Sequence, residues 1–553
     1  ALLLNTAKPM LDKNGTVYPE SLAGAGFLNV AQAVTTTVTA QGENSEGLTT
    51  LSLGALALAK PWDETRQIRV TNHGDSATEF ALSIEETVTE IGFGIELPVK
   101  KITVAAKSHE LVPVRFHADP AQFDRTGDPL TPSLLNGRTR SWVYEVSGKI
   151  VLANIAEKLR VPYHAIVRSA ATKHTTAARI ALPARNLVSL KLSLEGDSAH
   201  PKPLVSVFEL AGLSPLNNLL TDPADISADV LAFGVASDYP QVGSVAETTL
   251  YFGIANAGPW TNPHSFLYDP HLQIDNNFDG WINHELASCS NGGFIKDNLT
   301  VSAYADDVFL SILIRVPRAE RGLADAGYLN IFPPDKFDTV PFNNSVMVLP
   351  VPAGMLGLDE DKTDFDFRVL TLGAEQYGYP EIDRTQLIRY DVTKPVVHSA
   401  FGINGTVMHN ANAPINIAVD RGLAKREGRR PAVLLMHHMN TDDHKLDIVQ
   451  LNLDADDADA DGASDADELA AGTDPDDPNS VFAILPASRQ TDIGPEIRWH
   501  SVAGKSYWVQ RATALDQAFE TVSEPLPATP PLNVFIDETA PESVELFYRI
   551  VKP

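Results

Sequence analysis

The chain has 553 residues, 44% of them hydrophobic and 21% charged, and its 71 acidic against 43 basic side chains leave a net charge of −28. That length suits roughly four domains with cores of their own, and the ordinary apolar content excludes long disordered stretches. So acidic a surface argues against nucleic acid and anionic membranes as partners, which need clustered Lys and Arg. The single cysteine, Cys289, excludes an internal disulfide framework and has no nameable base to make it a nucleophile. No apolar run approaches the ~18 residues needed to span a bilayer. Scattered glycine and proline predict many short strands joined by turns, a mainly β fold class.

In chain order, the first segment reads A-L-L-L-N-T-A-K-P-M, then a Gly/Pro-punctuated stretch, then G-A-G-F-L-N-V-A-Q-A-V. Taken singly, the first part reads as a buried helix end stopped by Pro9. The second reads as a tight turn in which glycine supplies positive φ. In this order the two parts resemble the last segment of a subtilisin-like serine protease catalytic domain. Leu2, Leu3, Leu4, Asn5, Thr6 and Ala7 match its helix end. Gly24, Ala25, Gly26, Asn29, Val30 and Ala33 match its closing strand-turn. The resemblance covers about the first tenth of the chain. It implies that residues 1–40 are a short α/β remnant of that domain, truncated at its N-terminus, with the catalytic triad upstream of Ala1.

Serine catalysis needs a histidine base, a carboxylate to orient it and oxyanion donors. The chain holds no Gly-Thr-Ser block and no His-Gly-Thr. The nearest imitation, His73-Gly74-Asp75-Ser76, lies between I-R-V-T-N and A-T-E-F-A-L-S-I and reads as a hairpin tip. No catalytic residue is expected, and the chain as given is catalytically incompetent.

From 45 to 170 the pattern alternates as in a β-sandwich: Ile68 and Val70 before the turn, then Phe80, Leu82 and Ile84 after it. The order of strands is similar to the fibronectin-III-like domain behind the catalytic domain of large bacterial subtilases. Val70, Asn72, Gly74, Gly148, Ile150, Leu152, Val161, Pro162 and Tyr163 carry the match. An unrelated immunoglobulin-like sandwich has the same physics. Residues 171–224 read as a connector with edge strands, and further β-sandwiches are expected over 225–353 and 358–453. After a linker at 454–480, a small β domain follows at 481–553, with paired strands around Trp499, Trp508, Phe547 and Tyr548. The two tryptophans read as core before they read as a ligand face.

Between Asp454 and Asp477 eleven residues are acidic and none is basic. Within this run, D-A-D-A-D-G-A-S-D-A-D-E fits a twelve-position calcium loop. Asp457, Asp459 and Asp461, the Ala463 carbonyl, Asp465 and a bidentate Glu468 would be ligands, and Gly462 permits the turn. A plain acidic linker would rarely keep this spacing. The run as far as G-T-D-P resembles the thrombospondin type-3 or dockerin-like calcium repeats. Those repeats share ions between turns, which implies Asp454, Asp456, Asp474, Asp476 and Asp477 as additional ligands. Ca2+ is the one cofactor expected, in a structural role. A weaker loop, with Asp275, Asn277 and Asp279 before Gly280, has its glutamate at position 11 and reads equally as an Asx-rich turn. His437 and His438 are consecutive, so on a strand they face opposite ways and cannot share a metal. With His444 they give no expectation of zinc.

These readings imply the accessory C-terminal region of an extracellular subtilisin-like serine endopeptidase. Its protein substrates would be engaged through the catalytic domain, and a surface or glycan ligand through the last modules. The alternative is a calcium-dependent extracellular adhesion or binding protein without protease ancestry. The first segment separates the two. A remnant packs on the first sandwich as a helix stub plus strand, whereas an adhesin's leader is disordered or joins that sandwich's own sheet.

Overall fold

The computed structural model of the chain describes residues 1–43, 48–135, 138–140, 144–183, 185–263, 268–290, 308–316, 322–331, 339–373, 378, 380–399, 402–441, 444–453, 468, 471, 473–474, 480, 482–485, 489–491, 493–514, 517–541 and 546–551. The protein is mainly β, built of several separate sheets as tandem sandwich modules. It divides into two compact units. One comprises Ala1–Ala178, Ser189–Asp420 and Ala432–Val449, and the other Arg179–Val188, Arg421–Pro431 and Gln450–Pro553.

The first sandwich of the larger unit pairs two sheets. One orders the strands Val38–Gly42, Trp62–Asn72, His109–Ala118 and Phe93–Glu96. The other orders Leu51–Leu58, Lys158–Ser169, Glu145–Ala153, Thr78–Val88 and Lys101–Val104. Alternate residues of both sheets, among them Ile68, Val70, Phe80, Val114, Phe116, Ile150 and Tyr163, meet in one buried core. Gly148 is glycine for want of room, since a Cβ there would lie 2.4 Å from both the Glu85 carbonyl and the Tyr163 hydroxyl. The turn at His73-Gly74-Asp75-Ser76 joins two strands as expected, but they lie in opposite sheets. It is a crossover between sheets and not a hairpin tip. Asn72 holds it: its Nδ2 donates to the Ser76 and Val104 carbonyls, at 2.8 and 3.1 Å, and its Oδ1 accepts from Gly74 N–H.

The first segment forms the short helices Leu2–Asn5, Glu20–Ala23 and Val30–Thr35 and is fastened to this sandwich by buried polar groups. Asn5 donates to the carbonyls of Ala40 (2.9 Å) and Arg160 (3.0 Å) and accepts from Ala40 N–H (2.9 Å), so its amide completes the edge of a neighbouring strand. Arg160 returns a bond to the Ala7 carbonyl. Glu20 pairs with Lys149, the two side chains only 3% and 4% exposed, and accepts from the Thr87 hydroxyl as well. The same segment also exposes large apolar side chains. Leu3, Leu11, Leu22 and Leu28 are exposed, Phe27 and Val34 at 69% and 76%.

The second body of this unit is interleaved along the chain. Its first sheet runs Ala432–His437, Leu204–Leu213, Val230–Ser237, Thr249–Trp260, Asn344–Pro352. Its second runs Gly322–Tyr328, Phe309–Arg315, His284–Ser290, Asp269–Asp275, Asp364–Leu372, Glu381–Arg384. Phe233, Phe252, Leu349, Leu272, Phe365 and Phe367 fill the space between them. The opposite face of the first sheet is also covered, with Phe208, Tyr251, Val348 and Met436 in a separate core. These sheets cross the expected boundaries. Leu204–Leu213, placed in a connector by the sequence reading, is an interior strand, and its unbroken buried run from Leu204 to Glu209 is what burial on both faces demands. Asp364–Leu372 and Ala432–His437, expected in a module of their own, pair with Asp269–Asp275 and Leu204–Leu213.

In the smaller unit, Arg179–Ala181 pairs in parallel with Gln450, Leu451 and Asn452. Its small β domain has Gly494–His500 between Arg489–Thr491 and Leu532–Ile536, while Ser506–Ala512 pairs with Phe547–Val551. Ile497, Trp499, Tyr507 and Val509 form its core. A buried carboxylate, Asp537, accepts from Arg511 Nη1 at 2.7 Å and from the Tyr548 hydroxyl at 2.8 Å.

Candidate metal centre

Three titratable side chains converge where Ala432–His437 turns back into Leu446–Asn452. His437 N–H donates to the Lys445 carbonyl (2.8 Å), which sets the two arms side by side. Asp447 stands between two imidazoles. His437 Nε2 lies 2.8 Å from its Oδ2 and His444 Nε2 lies 2.9 Å from its Oδ1. The three potential ligand atoms are all within 4.8 Å of one another. The loop before 178 closes the site from a third side. Thr175 N–H donates to Asp447 Oδ2 (2.9 Å), Asn440 exchanges hydrogen bonds with the backbone of Lys173, and the His174 ring stands edge-on to His444 at 5.5 Å.

Burial shapes the charges. It pushes the His437 imidazole below its ordinary value, partly offset by Asp447. Burial also raises the Asp447 carboxyl, but its bonds to His437, Thr175 N–H and His444 outweigh that and hold it below the usual carboxylate range. His437 Nδ1 is buried without a hydrogen-bond partner among the described residues. His438 faces the other way, as the strand rule requires, with Nε2 2.8 Å from Ser206 Oγ. The two consecutive histidines therefore do not meet. His437 and His444 do, and the sequence reading missed this because it weighed neighbours and not the turn. The signal available was the spacing H-x6-H-x2-D.

The residues expected to hold calcium are placed as follows. Asp457, Asp459, Asp461, Ala463 and Asp465, with Asp454, Asp456, Asp476 and Asp477, lie outside the described residues. Glu468 is described and is buried, 1% exposed, with its carbonyl accepting from Thr473 N–H (3.0 Å). Asp474 N–H donates to the Ser480 hydroxyl. In the weaker loop, Asp275 is buried. Its Oδ1 accepts from Asn277 and Phe278 N–H and its Oδ2 from Gly280 N–H, at 2.8 to 3.1 Å. Asn277 and Asp279 bond each other and the next backbone amides. Those bonds are of the kind an Asx-rich turn makes. Trp499 is fully buried in the core of its domain.

No family model matches the chain, and no curated protein is significantly similar to it. Among solved structures, a FixG-related protein from Vibrio parahaemolyticus aligns over 24% of this chain and 94% of its own at 11% identity, TM-score 0.15. The secreted serine protease VesC from Vibrio cholerae aligns over 61% of this chain and 49% of its own at 9% identity, TM-score 0.18. These scores carry no argument about function. Among the described residues no helix is long and apolar enough to cross a membrane.

Proposed function

We propose that the chain is the non-catalytic, accessory region of a secreted subtilisin-like serine endopeptidase. The first segment would complete the catalytic domain and the sandwiches would stand behind it. One observation carries this reading. The segment is locked to the first sandwich by Asn5 and the Glu20–Lys149 pair, yet leaves many large apolar side chains, including Phe27 and Val34, exposed to solvent. Up to Val34 it packs as short helices, without the strand expected beside the stub, and joins neither sheet of the sandwich, whose edge strand begins at Val38. So many exposed apolar side chains in one short segment support a surface that is covered in the whole protein, and the catalytic domain is the cover the motif resemblance names. Protein substrates would then be engaged through that domain, and any surface or glycan ligand through the later modules. The coding sequence just upstream of Ala1 tests the reading. A Gly-Thr-Ser block preceded by His-Gly and Asp motifs is expected. A stop codon there, or only further β modules, would overturn it in favour of a calcium-dependent binding protein.

Calcium belongs to the same proposal. The twelve-position spacing from Asp457 to Glu468 supports it, and so does the burial of Glu468, the position that closes such a loop bidentately. The ion would fold a self-repelling run into a stiff spacer. Chelation with EGTA is expected to open residues 454–480 to proteolysis and excess calcium to close them again. Glu468→Gln should weaken calcium binding on the order of 10-fold or more. Equal cleavage with and without calcium would sink the assignment.

A further inference from the structure

We infer that His437, His444 and Asp447 form a second, chemically distinct metal site, one for a borderline divalent transition ion such as Zn2+. The donor set is two imidazoles and one carboxylate, which suits zinc and its neighbours and not calcium, an ion that wants six or more oxygens. The three ligand atoms already lie together, within 4.8 Å of one another. Metal–ligand bonds of about 2.0–2.2 Å require only a small widening of the present 2.8 and 2.9 Å contacts.

The surroundings are those of a held site. Asp447 Oδ2 is steadied by Thr175 N–H, leaving Oδ1 to turn toward the ion. His444, 39% exposed at its side chain, gives the ion a way in from solvent, while His437 is buried. His174 stands beside the cluster, its ring edge-on to His444 at 5.5 Å. His174 has its Nδ1 3.1 Å from the Thr172 carbonyl, the contact by which metal-bound histidines are commonly oriented. Both imidazoles of the cluster would bind as neutral ligands, their Nε2 protons moving to Nδ1. His444 can pass that hydrogen to water. His437 has no acceptor at Nδ1 among the described residues, which lowers the affinity below that of a fully supported site. An ion here would tie the His437–Asp447 turn to the loop at 172–175, which backbone and side-chain hydrogen bonds already bring together. Its role is a clasp.

The test is titration of the chelator-stripped full chain with Zn2+ by calorimetry and with Co2+ by visible absorption. One equivalent is expected at this site, with the d–d spectrum of nitrogen-rich, low-coordinate cobalt and a raised melting temperature. His444→Gln, at a partly exposed position that leaves the fold intact, should weaken binding by at least about 10-fold and remove the thermal shift. Asp447→Asn should do the same. His174→Gln should weaken binding less. Asp461→Asn, in the calcium run, should leave Zn2+ binding unchanged. Absence of binding by the parent chain would overturn the assignment, as would binding that survives both His444→Gln and Asp447→Asn in chains shown folded by circular dichroism.

Discussion

Lys149→Met should free residues 1–34 from the first sandwich while leaving that sandwich folded. Glu20 and Lys149 are both almost wholly buried, and Glu20 has one further oxygen without a partner among the described residues. Removing the ammonium strands a carboxylate in a place water does not reach, a cost of about 3–5 kcal/mol in comparable buried pairs. The chain has a cheaper escape. Glu20 sits on a four-residue helix, and swinging that segment out returns the carboxylate to water at the expense of the Asn5 and Arg160 bonds. Limited proteolysis should therefore cut Lys149→Met within the first 34 residues well before the parent chain, with the fragment from about 38 to 169 intact. Glu20→Gln combined with Lys149→Met removes both charges and should recover most of the resistance. Identical cleavage of Lys149→Met and parent would show that the pair is not the fastening.

The second large effect is expected at Trp499. Among the described residues its domain has a core of four buried side chains, and the indole is the largest of them. Truncation to alanine forfeits about 3–5 kcal/mol. A domain of this size commonly has little more than that in hand, so Trp499→Ala should unfold residues 481–553. Trp499→Phe should be far milder. The indole Nε1 is buried without an acceptor among the described residues, so replacing it discards an unpaired donor along with some volume. Near-ultraviolet circular dichroism and proteolysis of the domain separate the two variants. Comparable damage from both would mean that the indole nitrogen has a partner in solution.

What could be read from the sequence was local. The alternation of Ile68, Val70, Phe80 and Leu82 is a period-two signal that survives in the structure unchanged. Alternation says which way a side chain faces, and nothing about which sheet receives the strand. That is why the turn at His73 has the sequence pattern of a hairpin although its two arms belong to opposite layers. For the same reason alternation does not show that strands on either side of 224 and of 358 pair with one another. Phe365 and Phe367 alternate as a strand should, yet the core they enter is the one that holds Phe252. The His437 cluster leaves only the spacing H-x6-H-x2-D in the sequence, because its geometry depends on a turn that brings Asp447 back across from His437.

The placement of Leu204–Leu213 bears on how such a chain must be made. The first sandwich has all its strands in hand once Ser169 has emerged, and it can close at once. Leu204–Leu213 finds one neighbour soon after, in Val230–Ser237, but its other edge is completed by Ala432–His437. Ser206 meets His438 across 232 positions of chain. Contacts so distant are slow to form, and until they form an apolar strand offers an unpaired edge to any other chain nearby. A polypeptide delivered N-terminus first, whether by a ribosome or through a membrane pore, would carry that open edge for about two-fifths of its delivery, which makes a chaperone or rapid export a condition of its yield.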